Sequence, residues 1–315
     1  MANLPTEIIK VARPIHWIKN FALFAALVFS GGLFSKILFA KVILAVISFS
    51  LATSASYILN DILDAKLDKL HPIKKLRPIA ADRLPVWMAF LTMVVFAAAS
   101  LYLAANINKL FGLAVVGYLA LQAAYSLGLK NVAIIDILII ATGFIIRVYA
   151  GAFVIDAHLS VWFLLCVVST ALFLASGKRR AELGVIAQAK ETTRKSLTHY
   201  SQPLLDSYVT MFANAAWMSW TLFTFFESPA ASLPVWLFLA ELSRTTAISK
   251  LLMITVPLVI FGIMRYESLI FENRSEAPEK LLLTDKQLII SVVLWLAVVV
   301  WILYSGISSV SAPWA

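Results

Sequence analysis

Residues 42–68 read VILAVISFSLATSASYILNDILDAKLD, a largely apolar run followed at once by four oxygen-bearing side chains. The apolar part is long enough to cross the hydrocarbon core of a bilayer as a helix. If the helix continues at 100° per residue, Asp61, Asp64 and Asp68 lie within about 60° of one another, and Asn60 widens the arc to about 100°. Three like charges at a membrane edge repel, so we expect a cation between them, and Mg²⁺ carrying a phosphorylated substrate fits this pattern. The alternative is a solvated acidic helix end.

The composition predicts an all-α polytopic membrane protein. The chain has 315 residues, of which 61% are hydrophobic and only 14% charged, and its mean hydropathy is +0.89. A soluble domain of this length cannot bury so much apolar surface. No linker or low-complexity segment divides the chain, so we expect one transmembrane domain over residues 1–315.

Apolar windows predict about nine transmembrane helices, with eight or ten as alternatives. We place them near residues 20–35, 42–59, 85–105, 110–127, 134–155, 160–176, 207–226, 247–264 and 288–308. The longest loops between them, residues 60–84 and 177–206, each open on a dense charged motif.

The distribution of positive charge orients these helices. With the N-terminus inside, 20 of the 26 Lys and Arg residues fall in cytoplasmic segments, five fall in the opposite loops, and Arg147 lies inside a span. This is a strong positive-inside bias. We therefore expect an integral protein of the inner (cytoplasmic) membrane, with the N-terminus and the acidic motif in the cytoplasm, where phosphorylated metabolites and Mg²⁺ occur.

Basic residues follow the acidic motif within the same loop, in the stretch HPIKKLRPIAADR. Acids that hold a metal, followed by nearby cations, can neutralise a phosphate-rich ligand from two sides. Pro72 and Pro78 stiffen this loop, which makes Lys75 and Arg77 the better candidates for fixed phosphate ligands. Ordinary positive-inside flanking is the alternative.

A second charged motif, SGKRRAEL, contains Lys178, Arg179 and Glu182 and follows the sixth predicted span. Its consecutive cations suit an anion clamp, and simple topology signalling competes with that interpretation. The preceding Gly177 permits close approach of another group to the backbone.

Three further groups are candidates for substrate binding. Lys19, in the N-terminal RPIHWIKN, can reach an anionic lipid at the headgroup level, although the motif also suits a plain interfacial anchor. Arg147 is costly inside a span and therefore predicts a polar cavity open to the cytoplasm, with an ion pair to Asp136 as the alternative. Tyr125 and Lys130, in YSLGLKN, end the fourth predicted span on the same side.

The motifs together resemble a known superfamily. NDILDAKLD resembles the first aspartate-rich motif of UbiA-type intramembrane prenyltransferases, which implies a UbiA-like helical bundle with a cytoplasm-facing cavity. RPIHWIKN, HPIKKLRPIA, YSLGLKN and SGKRRAEL together resemble the decaprenyl-phosphate phosphoribosyltransferase branch over nearly the whole chain. Aromatic prenyltransferases of the superfamily carry a second aspartate-rich motif where this chain has SGKRRAEL, and that departure supports the branch.

The resemblance implies an enzyme that transfers 5-phosphoribose from 5-phosphoribosyl-1-pyrophosphate to a polyprenyl phosphate and releases pyrophosphate. It implies Mg²⁺ on Asp61, Asp64 and Asp68, with Asn60 orienting a ligand or water. The substrate-binding residues that the resemblance implies are Lys19, Lys75, Arg77, Tyr125, Lys130, Arg147, Lys178, Arg179 and Glu182.

The alternative functions are an aromatic prenyltransferase that uses a prenyl diphosphate donor and a non-enzymatic transporter or lipid-binding protein. The expected partners are the two substrates and the bilayer, without nucleic acid, and a homo-oligomer is left open.

Overall fold

The computed structural model describes residues 4–70, 74–189, 195–227, 250–272 and 284–304. Within these ranges the regular structure is entirely helical. The α-helices, in chain order, are α1 (Leu4–Ala12), α2 (Phe24–Phe29), α3 (Lys36–Asp68), α4 (Val86–Ile107), α5 (Lys109–Leu127), α6 (Ile135–Ile155), α7 (Val161–Ala189), α8 (Gln202–Phe226), α9 (Val256–Phe271) and α10 (Lys286–Tyr304). The predicted all-α class is therefore confirmed.

Seven helical segments in the described residues are long and apolar enough to cross a membrane. Each overlaps a predicted span, and α8, which covers the predicted span 207–226, is 25 residues long. The segments that meet both criteria are α3, α4, α5, α6, the first part of α7, residues 251–271 and α10. This number of apolar helices identifies an integral membrane protein.

The first predicted span has a different structure. Residues Pro14–Leu23 form a 3₁₀ helix, and only the short α2 follows before the chain turns at Gly31. Pro14 stands at the first position of this 3₁₀ helix, where a proline is tolerated. The buried side chain of Asn20 donates a hydrogen bond to Ser50 of α3. The prediction of one continuous helix over residues 20–35 is therefore wrong.

The chain divides into two compact units. The first contains residues 1–26, 35–156 and 190–199, and the second contains residues 27–34, 157–189 and 200–315. In the first unit α3 packs against α4 and α5, and α6 packs against α5 and the 3₁₀ helix. In the second unit α7 packs against α8, and α9 packs against α7, α8 and α10.

The acidic motif lies at the end of an unusually long helix. α3 has 33 residues, which corresponds to about 50 Å at 1.5 Å per residue, against about 30 Å of bilayer hydrocarbon. Ser35 caps its first turn by accepting a hydrogen bond from the Leu38 amide. The excess length lets the last turns, with the acidic residues, extend beyond the apolar layer.

The second charged motif also lies on a helix. α7 continues through residues 177–189, so the predicted boundary of the loop 177–206 is wrong at its start. The helix persists because RRAEL has high helix propensity and Arg179 pairs with Glu182 one turn later.

Candidate active site at the end of α3

The four polar residues of the acidic motif separate into two pairs. Around the helix axis their order is Asn60, Asp64, Asp68 and Asp61, as the 100° rotation per residue requires. The structure gives each end of this arc its own cations: Lys130 binds at the Asn60 end, and two arginines bind at the Asp61 end.

Asp61 and Asp68 are held by arginines. Arg77 Nη1 lies 3.0 Å from Asp61 Oδ1 and 2.5 Å from Asp68 Oδ2, so one guanidinium nitrogen joins carboxylates two turns apart. Arg13 Nη2 lies 2.5 Å from Asp61 Oδ1 and its guanidinium stacks over the Tyr57 ring at 5.1 Å. Both carboxylates are buried, and this desolvation strengthens their attraction to the arginines.

Asp64 and Asn60 share Lys130. The 3₁₀ turn Leu129–Asn131 follows α5 and brings Lys130 Nζ to 2.6 Å from Asp64 Oδ1 and 3.1 Å from Asn60 Oδ1. Lys130 is itself buried, with 9% of its side chain exposed. The sequence prediction that Lys130 belongs to the same end of the bundle as the acidic motif agrees with this contact.

The site is electrically balanced by its own residues. Three carboxylates face the three cations described above, so the counter-charge that the sequence requires is present as protein side chains. Asp64 is the most accessible of the carboxylates, with 18% of its side chain exposed against 2% for Asp61 and 7% for Asp68.

The donor set fits a hard divalent cation in its chemistry, because carboxylate and amide oxygens are the ligands that Mg²⁺ prefers. In the described residues, no group of three His, Cys, Asp or Glu side chains stands close enough together to hold a metal. Among these carboxylates Asp64 is the one that a metal could reach most easily, because its side chain is the most exposed.

Arg13 is the site residue that sequence reasoning did not assign to catalysis or binding. It lies between α1 and the 3₁₀ helix in the left-handed region, at φ 53°, directly before Pro14. A residue other than glycine rarely adopts this conformation. The sequence signal was a cation before a proline at the membrane edge, but the contact with Asp61, 48 positions away, depends on the fold.

Arg147 lies in a buried polar cluster. Its Nε donates to Asn20 Oδ1 at 2.8 Å, its Nη1 to the Gly143 carbonyl at 2.5 Å and its Nη2 to Tyr118 Oη at 2.9 Å. The predicted alternative of an ion pair with Asp136 is not formed in the described residues. These bonds join α6 to α5 and to the 3₁₀ helix, so Arg147 stabilises the unit that carries the acidic motif.

The remaining candidates of the first unit differ in exposure. Lys75 is exposed on the turn Lys74–Leu76, and Lys19 and Tyr125 are half-buried. Pro72, one of the two prolines expected to stiffen this loop, lies outside the described residues. Lys75 makes no bond to the acidic carboxylates within the described part of the chain, in contrast to Arg77 and Lys130.

The basic motif of the second unit is largely paired internally. Arg179 is 1% exposed and binds Glu182, and Arg180 binds Asp206 on α8. Lys178 is half-buried and makes no hydrogen bond or ion pair within the described part of the chain. Of the three consecutive cations, Lys178 is therefore the one available to an anion.

Gly177 allows α9 to approach α7. A Cβ at this position would lie 2.7 Å from Ile270 Cδ1 and 3.0 Å from the Tyr266 ring. The close approach predicted from the glycine is present, and it serves packing between these helices.

These features define a helical integral membrane protein with a carboxylate-rich motif at the end of its longest helix. The chain belongs to the UbiA prenyltransferase family, whose model matches residues 20–282. The resemblance predicted from the motifs is therefore confirmed, and the protein is an enzyme of the transferase class.

Curated relatives cover nearly the whole chain. A decaprenyl-phosphate phosphoribosyltransferase of Mycolicibacterium smegmatis is 34% identical over 301 residues, aligning 94% of this chain with 92% of the relative. The enzyme of the same name from Corynebacterium glutamicum is 35% identical over 306 residues, with 96% and 88% aligned.

A solved structure of a UbiA homolog from Archaeoglobus fulgidus, bound to GPP and Mg²⁺, has the same fold. It covers 94% of this chain and 99% of its own, with a TM-score of 0.65 at 20% identity.

Proposed function

We propose that this protein transfers 5-phosphoribose from 5-phosphoribosyl-1-pyrophosphate to a polyprenyl phosphate. The observation that carries the proposal is the identity of 34–35%, over nearly the full length of both chains, with enzymes named decaprenyl-phosphate phosphoribosyltransferase. Basic residues on α7, where aromatic prenyltransferases have a second acidic motif, support the same substrate class.

The acidic motif would hold the donor pyrophosphate through Mg²⁺. Asp64 would be the first ligand because it is the most accessible carboxylate, and Asn60 would orient a ligand or water beside it. Bound Mg²⁺ would neutralise charge that builds on the departing pyrophosphate. Asp61 and Asp68, which Arg13 and Arg77 hold on the same helix face, would be the further carboxylates able to hold the metal.

The cations of the site would then bind the donor. Arg13, Arg77 and Lys130 already stand at hydrogen-bond distance from the carboxylates, so a phosphate that enters beside the motif meets donors that need to move only a short way. Arginine presents a planar fork that suits phosphate oxygens, and lysine acts as a point charge. Donors that already stand near the developing negative charge need little reorganisation to stabilise it.

In the proposed reaction, the bond between C1 of the ribose and the pyrophosphate oxygen breaks. A new bond forms between C1 and an oxygen of the lipid phosphate, and no oxidation or reduction occurs. The lipid phosphate is already anionic near neutral pH, so the attack needs no strong general base. The chain's contribution is therefore positioning and charge stabilisation.

We further propose that the acidic motif faces the cytoplasm and that Lys19 and Lys75 contribute additional phosphate contacts. Lys178 of the second unit is proposed separately as a ligand for a substrate phosphate. The excess of Lys and Arg in the segments on that side supports the orientation. Lys178 is supported by its lack of a partner in the described residues, whereas Arg179 forms an ion pair with Glu182.

An assay with two donors tests the function. Purified protein in detergent is given phosphoribosyl pyrophosphate labelled in the ribose together with a panel of polyprenyl phosphates, and the label is extracted into organic solvent. A parallel reaction offers a labelled prenyl diphosphate with an aromatic acceptor. We expect lipid-bound label only from the phosphoribosyl donor, and none when EDTA is added.

Prenylation of the aromatic acceptor without phosphoribosyl transfer would assign the protein to the alternative class. Binding of the lipid phosphate without turnover, with or without Mg²⁺, would favour a lipid-binding role.

A further inference from the structure

A further buried carboxylate lies outside the acidic motif and is linked to it through neighbouring residues. Glu7 of α1 is 3% exposed, although it stands only a few residues from the N-terminus. It accepts hydrogen bonds from Lys10 Nζ at 2.7 Å and from Arg83 Nε at 3.0 Å. The Lys10 hydrogen bond holds the pKa of Glu7 below its ordinary value, so the carboxylate is charged at neutral pH.

Arg83 connects this carboxylate to the loop that carries Arg77. Its Nη2 donates to the Leu76 carbonyl at 2.7 Å, and Leu76 is the residue directly before Arg77. A single guanidinium therefore joins α1 to the backbone beside the arginine that bridges Asp61 and Asp68.

Apolar packing accompanies these bonds. Val11 of α1, Ile58 of α3 and Ile79 and Leu84 of the loop belong to one buried cluster. Arg13 follows α1 directly and binds Asp61. The short helix is thus connected to the acidic motif through the adjoining Arg13 and to the loop through Glu7.

We propose that Glu7 and Arg83 are positioning residues that fix Arg77 for binding the donor phosphate. The part of this inference that concerns the donor rests on the proposed function. Neither residue touches the acidic carboxylates. They act through the loop backbone, whose freedom they restrict, so their loss weakens donor binding through Arg77.

The same loop provides a matched control. Lys69 at the end of α3 binds Asp82 at 2.7 Å, and this pair also links the helix to the loop. Its side chains are 48% and 77% exposed, and exposed pairs contribute little to stability. Asp82 has φ 55°, a conformation that asparagine tolerates, so Asp82→Asn removes the charge without straining the turn.

The first measurement is hydrogen exchange of the backbone amides in residues 74–84, followed by mass spectrometry of the intact protein in detergent. In the native loop the Arg77 amide binds the Lys74 carbonyl and the Ala81 amide binds the Arg77 carbonyl. We expect Glu7→Gln to accelerate exchange of this segment and Asp82→Asn to leave it within about twofold of the parent protein.

The second measurement is the kinetics of phosphoribosyl transfer. Glu7→Gln should raise the KM for phosphoribosyl pyrophosphate by about tenfold, the effect of losing one charge-assisted bond, with a smaller change in kcat. Arg83→Lys should give an intermediate KM, because lysine keeps the charge but cannot reach both Glu7 and the Leu76 carbonyl. If Glu7→Gln fails to fold, both measurements are made on Arg83→Lys instead.

Unchanged loop exchange in Glu7→Gln and Arg83→Lys would overturn the inference, as would an equal response of the Asp82→Asn control. Equal losses of kcat in all variants with no change in KM would also overturn it. If the parent protein transfers no phosphoribose, the proposed function fails. Hydrogen exchange of residues 74–84 then still tests whether Glu7 and Arg83 restrict the loop.

Discussion

At the scale of single residues, charge and helical periodicity predicted part of the acidic motif's structure. The spacing of Asp61, Asp64 and Asp68 predicted a shared face that needs counter-charge, and the structure supplies that charge. In the structure Lys130 binds at one end of the arc and Arg77 at the other. Arg13 could not be chosen in advance, because its contact with Asp61 depends on how the chain turns before Pro14.

Asp64 should be the carboxylate whose loss affects turnover most directly. We expect Asp64→Asn to lower the rate of phosphoribosyl transfer by roughly 100-fold or more, since a metal ligand supports several kcal/mol of charge stabilisation. The fold should persist, because Asp64 is the most accessible of the three and the amide can still accept a bond from Lys130. The measurement is turnover of purified variant together with its melting temperature.

Asp82→Asn again provides the control, since it removes an exposed aspartate from the adjoining loop. A purified Asp64→Asn protein with near-normal turnover would contradict the metal-site proposal.

At the scale of helices and loops, a glycine fixes how the 3₁₀ helix meets α6. A Cβ at Gly151 would lie 2.1 Å from the Leu23 carbonyl oxygen. Backbone atoms cannot yield as the end of a flexible side chain can. The 3₁₀ helix Pro14–Leu23 therefore keeps its place because position 151 has no side chain.

Gly151→Ala should destabilise the protein by forcing these two segments apart. Overpacking of this kind costs about 1–3 kcal/mol, which corresponds to a melting temperature lower by roughly 5 °C for a chain of this size. Gly117 on α5 is the matched control, because nothing lies within 4 Å of a Cβ built there.

Gly117→Ala should leave the melting temperature unchanged or raise it slightly, since alanine favours a helix by up to about 1 kcal/mol. Equal effects of the two substitutions, measured by thermal unfolding in detergent, would mean that the close contact at Leu23 does not constrain the fold.

The start of α10 depends on an ion pair with a defined pH response. Asp285 accepts from Arg265 Nη2 at 2.6 Å and from the Leu288 amide at 2.9 Å. The Arg265 hydrogen bond lowers the pKa of Asp285. A lowered folded pKa means that the stabilisation is complete above the unfolded value, about 4 for an aspartate, and is lost as the pH falls through the folded value.

We therefore expect Asp285→Asn to melt at a lower temperature than the parent at pH 7, and the difference to shrink as the pH drops below about 4. Asparagine can still cap the Leu288 amide, so the comparison isolates the charge. A difference in melting temperature that is independent of pH down to pH 3 would show that the charge on Asp285 contributes nothing.

At the scale of the whole molecule, hydropathy predicted most of the helices. Each membrane helix must form its backbone hydrogen bonds internally and needs an apolar stretch as long as the hydrocarbon core is thick. The hydropathy prediction failed for residues 20–35, where the chain completes a 3₁₀ helix at Leu23 and then forms only the short α2 before Gly31. It also ended the sixth span too early, since a helix can continue past the membrane once its charged residues pair, as Arg179 does with Glu182.

The candidate site was predictable in its residue types more than in its contacts. Lys130 and Arg77 were named from motifs, and the structure brings both to the acidic residues. Arg147 was named as a substrate ligand, and that role stays a prediction, because its described bonds connect it to neutral groups of its own unit. Sequence spacing reports which residues share a helix face, whereas long-range partners depend on the packing of several helices.

The central claim is phosphoribosyl transfer coupled to pyrophosphate release, and one stoichiometric measurement tests it most directly. Purified protein is incubated with Mg²⁺, phosphoribosyl pyrophosphate and a polyprenyl phosphate, while released pyrophosphate and lipid-linked 5-phosphoribose are quantified in the same samples by enzymatic assay and mass spectrometry. We expect one pyrophosphate for each phosphoribosylated lipid, and neither product in Asp64→Asn beyond its residual rate. Pyrophosphate release without the lipid product, or the absence of both in the parent protein, would contradict the proposed function.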